Sequence, residues 1–251
     1  MSDHIITERQ GAVHIIRFNR ADKKNALTRA MYASLAAALK ESDENDEIAV
    51  SVFLGQPESF TSGNDIADFM AVATGAEKGM EVIDFLRALI SSEKPMIAGV
   101  DGPAVGIGTT MLFHCDQVFA SPRAVFATPF VDLGVVPEGA SSLLAPRTMG
   151  YQAAFRLLAL AERFGPQEAN AAGFVTEITS NDDLESRALQ AAEVIASKPR
   201  EAMKLARKLL RGDRAEVTER MENEGRIFAE RLVSDEARNA FISFMNRSKP
   251  A

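Results

Sequence analysis

Three short segments of this 251-residue sequence place small residues, and one acid, where chemistry can be done. Phe60-Thr61-Ser62-Gly63-Asn64-Asp65-Ile66 and Gly102-Pro103-Ala104-Val105-Gly106-Ile107-Gly108 each follow a strand-like run and put small residues where a strand hands over to a helix. At such a junction the first backbone N–H groups of the helix lack intrahelical partners, point outward and bind developing negative charge. Two such donors aimed at one point form an oxyanion hole; a pair of ordinary tight turns is the alternative reading. The third segment, Leu133-Gly134-Val135-Val136-Pro137-Glu138-Gly139-Ala140, carries Glu138 among apolar residues, with Phe130 shortly before it. Burial there disfavours the ionised carboxylate and moves its pKa toward neutrality, which suits a group that must both take and return a proton. Position alone equally allows a surface glutamate, or an acid ahead of a helix starting near Ala140 that complements the helix dipole.

The elements that must position these segments are legible in part. Val13 to Phe18 and Ile48 to Leu54 are short runs rich in β-branched residues and read as strands, as does Met96 to Val100. A helix lies between the first two, with Thr28 as its cap and Met31, Leu35 and Leu39 as its core-facing stripe. A second helix runs from about Met80 to Ser91, stopped by Pro95. From Gly102 to Gly139 the chain is turn-rich, with short apolar pieces at Gln117 to Ala120 and Ala124 to Ala127. Beyond Tyr151 helical periodicity dominates: Gln152 to Glu162, Leu184 to Ser197, Arg200 to Arg211, Ala215 to Leu232 and Asp235 to Asn246. Ser180 to Leu184 is the softest boundary, which divides the chain into residues 1–183 and a helical region, 184–251. Lys204, Arg207, Lys208 and Arg211 read as a solvated helix face.

Composition narrows the function classes. With 28 Lys and Arg against 35 Asp and Glu, the net charge of −7 has the wrong sign for a general nucleic-acid binder. Cys115 is the only cysteine and the three histidines are scattered, so neither a disulfide scaffold nor a zinc site is expected. No run approaches the roughly 18 apolar residues of a membrane span, and the first residues lack a secretory pattern. The expected location is cytoplasmic. Gly106 to Met111 begins like a dinucleotide fingerprint, but Met111 stands where the third glycine belongs. No phosphate loop or G-x-S-x-G elbow occurs, and His114 with Asp116 gives no nucleophilic triad. His114 reads as a helix or core residue.

The two glycine turns resemble the two halves of the oxyanion signature of the enoyl-CoA hydratase/isomerase (crotonase) superfamily. Asn19 to Leu27 is similar to that family's N-terminal turn, and Ala169 to Glu177 to its "A-x-x-x-G-L-V" segment. The resemblance covers roughly residues 10 to 180, with the motifs in order. It implies an α/β fold in which repeated ββα units form a spiral, followed by C-terminal helices that mediate homotrimers or homohexamers. It also implies that residues 1–183 hold an acyl-CoA thioester, with coenzyme A part of the substrate and no resident cofactor or metal. The backbone N–H groups of Ser62 and Ile107 would bind the thioester oxygen, and Lys24, Ala26, Asn64, Asp65 and Ile66 would help seat the CoA.

Hydratases of this family use two glutamates, and the positions that would carry them here are Thr110 and Phe130. A hydroxyl and a phenyl ring cannot activate water. The string Thr128-Pro129-Phe130, then Pro137-Glu138-Gly139 and Ser141-Ser142, is similar to the peroxisomal-type Δ3,Δ2-enoyl-CoA isomerases, whose single catalytic glutamate occupies the position of Glu138. The activity implied is transfer of a 3-enoyl-CoA double bond to the 2-trans position in fatty-acid oxidation. Another crotonase-type reaction, such as hydration, thioester hydrolysis or racemisation with help from Asp65, Asp68 or Asp132, is one alternative; a non-catalytic acyl-CoA-binding protein is the other.

Overall fold

The computed structural model describes residues 2–73 and 80–247. Ile5–Gln10 (β1) pairs antiparallel with Val13–Phe18 (β2). The chain then forms Arg29–Glu44 (α1), whose first turn is closed by the Thr28 hydroxyl accepting from the Met31 N–H at 3.3 Å. Met31, Leu35 and Leu39 on this helix are all buried, as their spacing predicts. Val50–Leu54 (β3) follows, then Ile66–Ala73 (α2) and Met80–Ser91 (α3). Next come Met96–Val100 (β4), Pro103–Val105 (β5) and Ile107–Thr110 (α4). Gln117–Ala120 (β6) and Val125–Ala127 (β7) precede Ser141–Met149 (α5), Tyr151–Leu158 (α6) and Pro166–Ala172 (α7). The chain ends with Glu177–Ile178 (β8) and the helices Leu184–Ala196 (α8), Arg200–Arg211 (α9), Arg214–Leu232 (α10) and Asp235–Arg247 (α11).

The main sheet has the order β1-β2-β3-β4-β6-β8, parallel from β2 onward. Strands β3 and β4 are buried at every position because both faces of the sheet are covered, so they read as unbroken apolar runs rather than alternating ones. A second, two-stranded parallel sheet joins β5 to β7. Parallel bridges Leu27 to Asn64 and Thr61 to Ala104 extend the same stacking to the loops before α2 and α4. Each turn of chain thus gives a strand to the main sheet, a shorter extended piece to the stack beside it, and then a helix. This is the α/β spiral of ββα units, and the glycine turns lie side by side in it. Gly108 permits the contact, since a Cβ there would fall 2.5 Å from Thr61 Cγ2.

Two sequence expectations are corrected. The cut between residues 183 and 184 divides one packed core: Leu184, Ala188, Ala191 and Ala192 of α8 cover the outer face of the main sheet against Val13, Val52 and Phe119. On the other side Met221 and Leu232 of α10 belong to the principal core. The four cations of α9 do not form one solvated face. Arg207 is 5% exposed and donates to Asp116 Oδ2 at 2.8 Å and to the Ser92 carbonyl at 2.5 Å, and Arg211 reaches the same carboxylate. With these charges turned inward, Leu209 and Leu210 face outward at 83% and 88% exposure. Among the described residues no helix is long and apolar enough to cross a membrane.

Candidate active site

Where the glycine turns meet the C-terminal helices, a mainly apolar cavity of about 330 Å³ is enclosed by Leu27 and Tyr32, by Val82 and Leu86 of α3, and by Met221 and Phe228 of α10. Asn64, Asp65, Ile107 and Glu138 line it as well. Apolar side chains of α3 and α10 form most of its wall, with Arg29 and Tyr32 of α1 beside them.

Glu138 stands in the turn Pro137 to Ala140 that leads into α5. Ala140 is left-handed, at φ 59°. That conformation costs a residue with a Cβ roughly 1–2 kcal/mol, so the surroundings must hold it. They do so from three directions. The Thr110 hydroxyl donates to Glu138 Oε1. His114 Nε2 lies 2.7 Å from the Gly139 carbonyl, which fixes the ring proton on Nε2 because a carbonyl only accepts. Glu224 accepts from the N–H groups of Ala140 and Ser142.

These contacts set the protonation states. Burial pushes the Glu138 carboxyl up to about 7, the Glu224 carboxylate adds to the rise, and the Thr110 hydrogen bond opposes it. Glu138 as a whole is half-buried, with its carboxyl turned to the Thr110 hydroxyl. Burial lowers His114 to about 4, so at neutral pH the ring is uncharged and holds the turn as a neutral donor. Tyr32 is buried, its pKa raised by burial, and its hydroxyl donates to Asn64 Oδ1 at 2.5 Å.

The two glycine turns supply free main-chain donors, though not both at the residues expected. Ile107 is the first residue of α4, and its N–H has no hydrogen-bond partner among the described residues. Gly106 ahead of it adopts φ 57° and ψ −118°, which aims that peptide in a way a residue with a Cβ resists. The Ser62 N–H, by contrast, donates to the Lys24 carbonyl at 2.9 Å, and Ser62 does not line the cavity. Asn64 does line it, and its N–H is without a partner among the described residues. The bridge to Leu27 explains why: Gly63 O and Asp65 N point at Leu27, so the polar groups of Asn64 itself face the other way. Nothing in the sequence alone distinguishes Ser62 from Asn64, since the choice depends on which face of that segment Leu27 pairs with.

Of the five residues expected to seat CoA, Asn64 and Asp65 line the cavity, whereas Lys24, Ala26 and Ile66 do not. Asp65 is occupied structurally: Oδ2 accepts from Arg20 at 2.7 Å and Oδ1 from the Ala67 N–H at 3.0 Å, at the start of α2. Arg20 also donates to the Ala26 carbonyl at 2.8 Å, which ties the N-terminal turn to the first glycine turn. Lys24 is exposed and Ile66 is 45% exposed beside this junction. Sequence reasoning passed over Tyr32 and Glu224 as site residues, and took Thr110 only as a missing acid and His114 only as a core residue.

Residues 8–251 match the family model described as enoyl-CoA hydratase/isomerase. The chain is 36% identical over 252 residues to enoyl-CoA delta isomerase 2 of Rattus norvegicus, an alignment that covers 98% of this chain and 64% of that protein, so it spans just under two thirds of that relative's length. It is 29% identical to a probable enoyl-CoA hydratase of Rhizobium meliloti (strain 1021), covering 98% of this chain and 96% of the relative. The solved structure of an enoyl-CoA hydratase/isomerase from Pseudoalteromonas atlantica T6c superposes with a TM-score of 0.93 at 38% identity, covering 99% of each chain. Stacked glycine turns, free main-chain donors and these likenesses agree: the chain belongs to the enoyl-CoA hydratase/isomerase, or crotonase, family.

Proposed function

We propose that the protein is a Δ3,Δ2-enoyl-CoA isomerase in which Glu138 is the single acid/base and the N–H groups of Asn64 and Ile107 form the oxyanion hole. The observation that carries this reading is the state of one carboxylate: Glu138 lines the cavity with burial pushing its pKa up to about 7, whereas Asp65 and Asp68, which also line it, are engaged by the Arg20 guanidinium and the Arg29 N–H, and the hydroxyl of Thr110 and the ring of Phe130 occupy the positions where the resemblance places the glutamates of a hydratase. The Glu138 carboxylate removes a C2 proton from a 3-enoyl thioester. The electrons pass into a dienolate whose oxyanion is held by the two main-chain donors, and the protonated Glu138 returns the same proton at C4. The double bond then lies between C2 and C3, conjugated with the thioester. Preorganised donors of this kind contribute about 2.7–4 kcal/mol each where they have been removed in other enzymes.

Addition of water needs a second group to activate it, and the other carboxylates that line the cavity, Asp65 and Asp68, are already bonded to the Arg20 guanidinium and the Arg29 N–H. The name of the Rattus norvegicus relative favours the isomerase reading, and that of the Rhizobium meliloti relative keeps hydration as the competing outcome. A role in fatty-acid oxidation and a cytoplasmic location are part of the proposal, the lone thiol fitting a reducing compartment. Self-association into a trimer or hexamer is supported by the outward leucines of α9.

The direct test supplies a 3-enoyl-CoA and follows conjugated-thioester absorbance for the wild type and Glu138→Gln. Conversion by the wild type and near-complete loss in the variant support the reading. A wild type that yields 3-hydroxyacyl-CoA or free CoA, or that binds acyl-CoA without turnover, overturns it.

A further inference from the structure

The turn that carries Glu138 is not closed by its own helix. Ala140 stands at the N-cap of α5 and offers no side-chain acceptor for the first-turn donors, which in most helices are met locally by a serine, threonine or aspartate. The acceptor comes instead from 84 residues away: Glu224 Oε2 takes the Ala140 N–H at 2.6 Å, and Oε1 takes the Ser142 N–H at 2.9 Å. Glu224 is 5% exposed, and its neighbours on α10, Met221 and Gly225, line the same cavity as Glu138. One carboxylate therefore bridges the N–H of the left-handed residue that turns the chain from Glu138 into α5 and the N–H of the second residue of that helix.

We infer that Glu224 is a positioning residue for the isomerisation, holding the Pro137 to Ala140 turn so that the Glu138 carboxylate stays aimed at the substrate carbons. The inference rests on Glu138 being the acid/base. A bidentate, charge-assisted clamp at a helix N-terminus is stronger than a neutral one, and it needs both oxygens. Glutamine keeps the volume but has one acceptor oxygen, and its amide N–H₂ then faces a backbone donor. Aspartate keeps the charge but is one methylene too short to meet both N–H groups.

Charge gives the two variants different signatures. The groups around the clamp are Arg220 on the same helix, which also donates to Ser142 Oγ at 3.2 Å, and Glu138 across the turn. Tyr32, which lines the same cavity as Glu138, and His114, bonded to the Gly139 carbonyl, are neutral at pH 7. Removing the Glu224 charge removes a negative neighbour of Glu138, so the acid limb of the rate profile moves to lower pH.

The experiment measures kcat, KM and the pH–rate profile on a 3-enoyl-CoA for Glu224→Gln and Glu224→Asp, beside wild type and Glu138→Gln, with folding checked by circular dichroism and thermal melting. The expected result is a kcat at least tenfold lower in both Glu224 variants with KM within about threefold of wild type. The acid limb should shift to lower pH in Glu224→Gln and stay in place in Glu224→Asp. Wild-type kcat and profile in Glu224→Gln overturn the inference while leaving the acid/base assignment intact. So does a rate loss that merely tracks the unfolded fraction, with the acid limb unmoved. A Glu138→Gln variant that turns over normally removes the acid/base assignment itself, and the inference with it.

Discussion

The Thr110 hydroxyl donates a hydrogen bond to the carboxylate of Glu138, 28 residues further along the chain. The bond favours the ionised form of a group that burial and Glu224 push toward the protonated one, with the balance near 7. Thr110 thus opposes burial, the largest influence on Glu138, and keeps more of its carboxylate ionised.

Thr110→Val keeps the shape and deletes the donor. A hydrogen bond to a charged group contributes about 1.5–3 kcal/mol, so the acid limb of kcat should move up by about one pH unit or more. Activity should fall much more at pH 6 than at pH 8.5, measured as pH–rate profiles of the two proteins. An unmoved limb would separate Thr110 from the acid/base.

Glu138 should also report on stability. Its carboxyl binds a proton more tightly in the folded chain, at about 7, than at the ordinary value of 4.5 in the unfolded chain. The contribution is fully present below pH 4.5 and is lost as pH rises through about 7. Relative to Glu138→Gln, the wild type should lose on the order of 3 kcal/mol between pH 5 and pH 8.5. Denaturant titrations of both proteins at the two pH values check this, and parallel curves at both would refute it.

Gly106 sets the direction of the Ile107 N–H, at φ 57° and ψ −118°, and a Cβ there would meet only Phe130 Cε1, at 3.9 Å. Gly106→Ala therefore acts through the backbone rather than by collision. Stability should fall by about 1–3 kcal/mol. If the peptide rotates away, kcat should fall by roughly 100-fold, as for loss of an oxyanion donor. Steady-state kinetics with a thermal melt distinguish the two effects, and a wild-type kcat would remove Ile107 from the oxyanion hole.

Asp116 is the anchor that draws α9 inward through Arg207 and Arg211. Asp116→Ala leaves the Arg207 guanidinium buried beside the Ser92 carbonyl without its counter-charge. The expected loss is about 3–5 kcal/mol, the cost of breaking a buried pair. A chemical denaturation curve within about 0.5 kcal/mol of wild type would place this pair with ordinary surface ion pairs.

By itself the sequence determined much of the scaffold and singled out Glu138 as the candidate acid. The runs Val13–Phe18 and Met96–Val100, the stripe Met31, Leu35, Leu39 and the helix Arg200–Arg211 all lie where period and composition place them. β-Branched runs and 3.6-residue spacing are local signals, and burial follows them directly. Glu138 stood out as a candidate because it is an acid in an apolar run at the position where the resemblance places an isomerase's glutamate; the run alone left a surface acid equally open. What tertiary structure decided is everything that depends on which segments meet. Pairing with Leu27 made Asn64, not Ser62, the residue with a free N–H facing the cavity. The approach of Asp116 turned Arg207 into the protein and left Leu209 and Leu210 outside, although the periodicity of α9 alone favours the reverse. Glu224, indistinguishable in sequence from the other acids of α10, became the cap of α5 because the folded chain brings α10 across that helix's open end. A hydrogen bond between residues 84 positions apart leaves no periodic trace, and only the folded chain creates it.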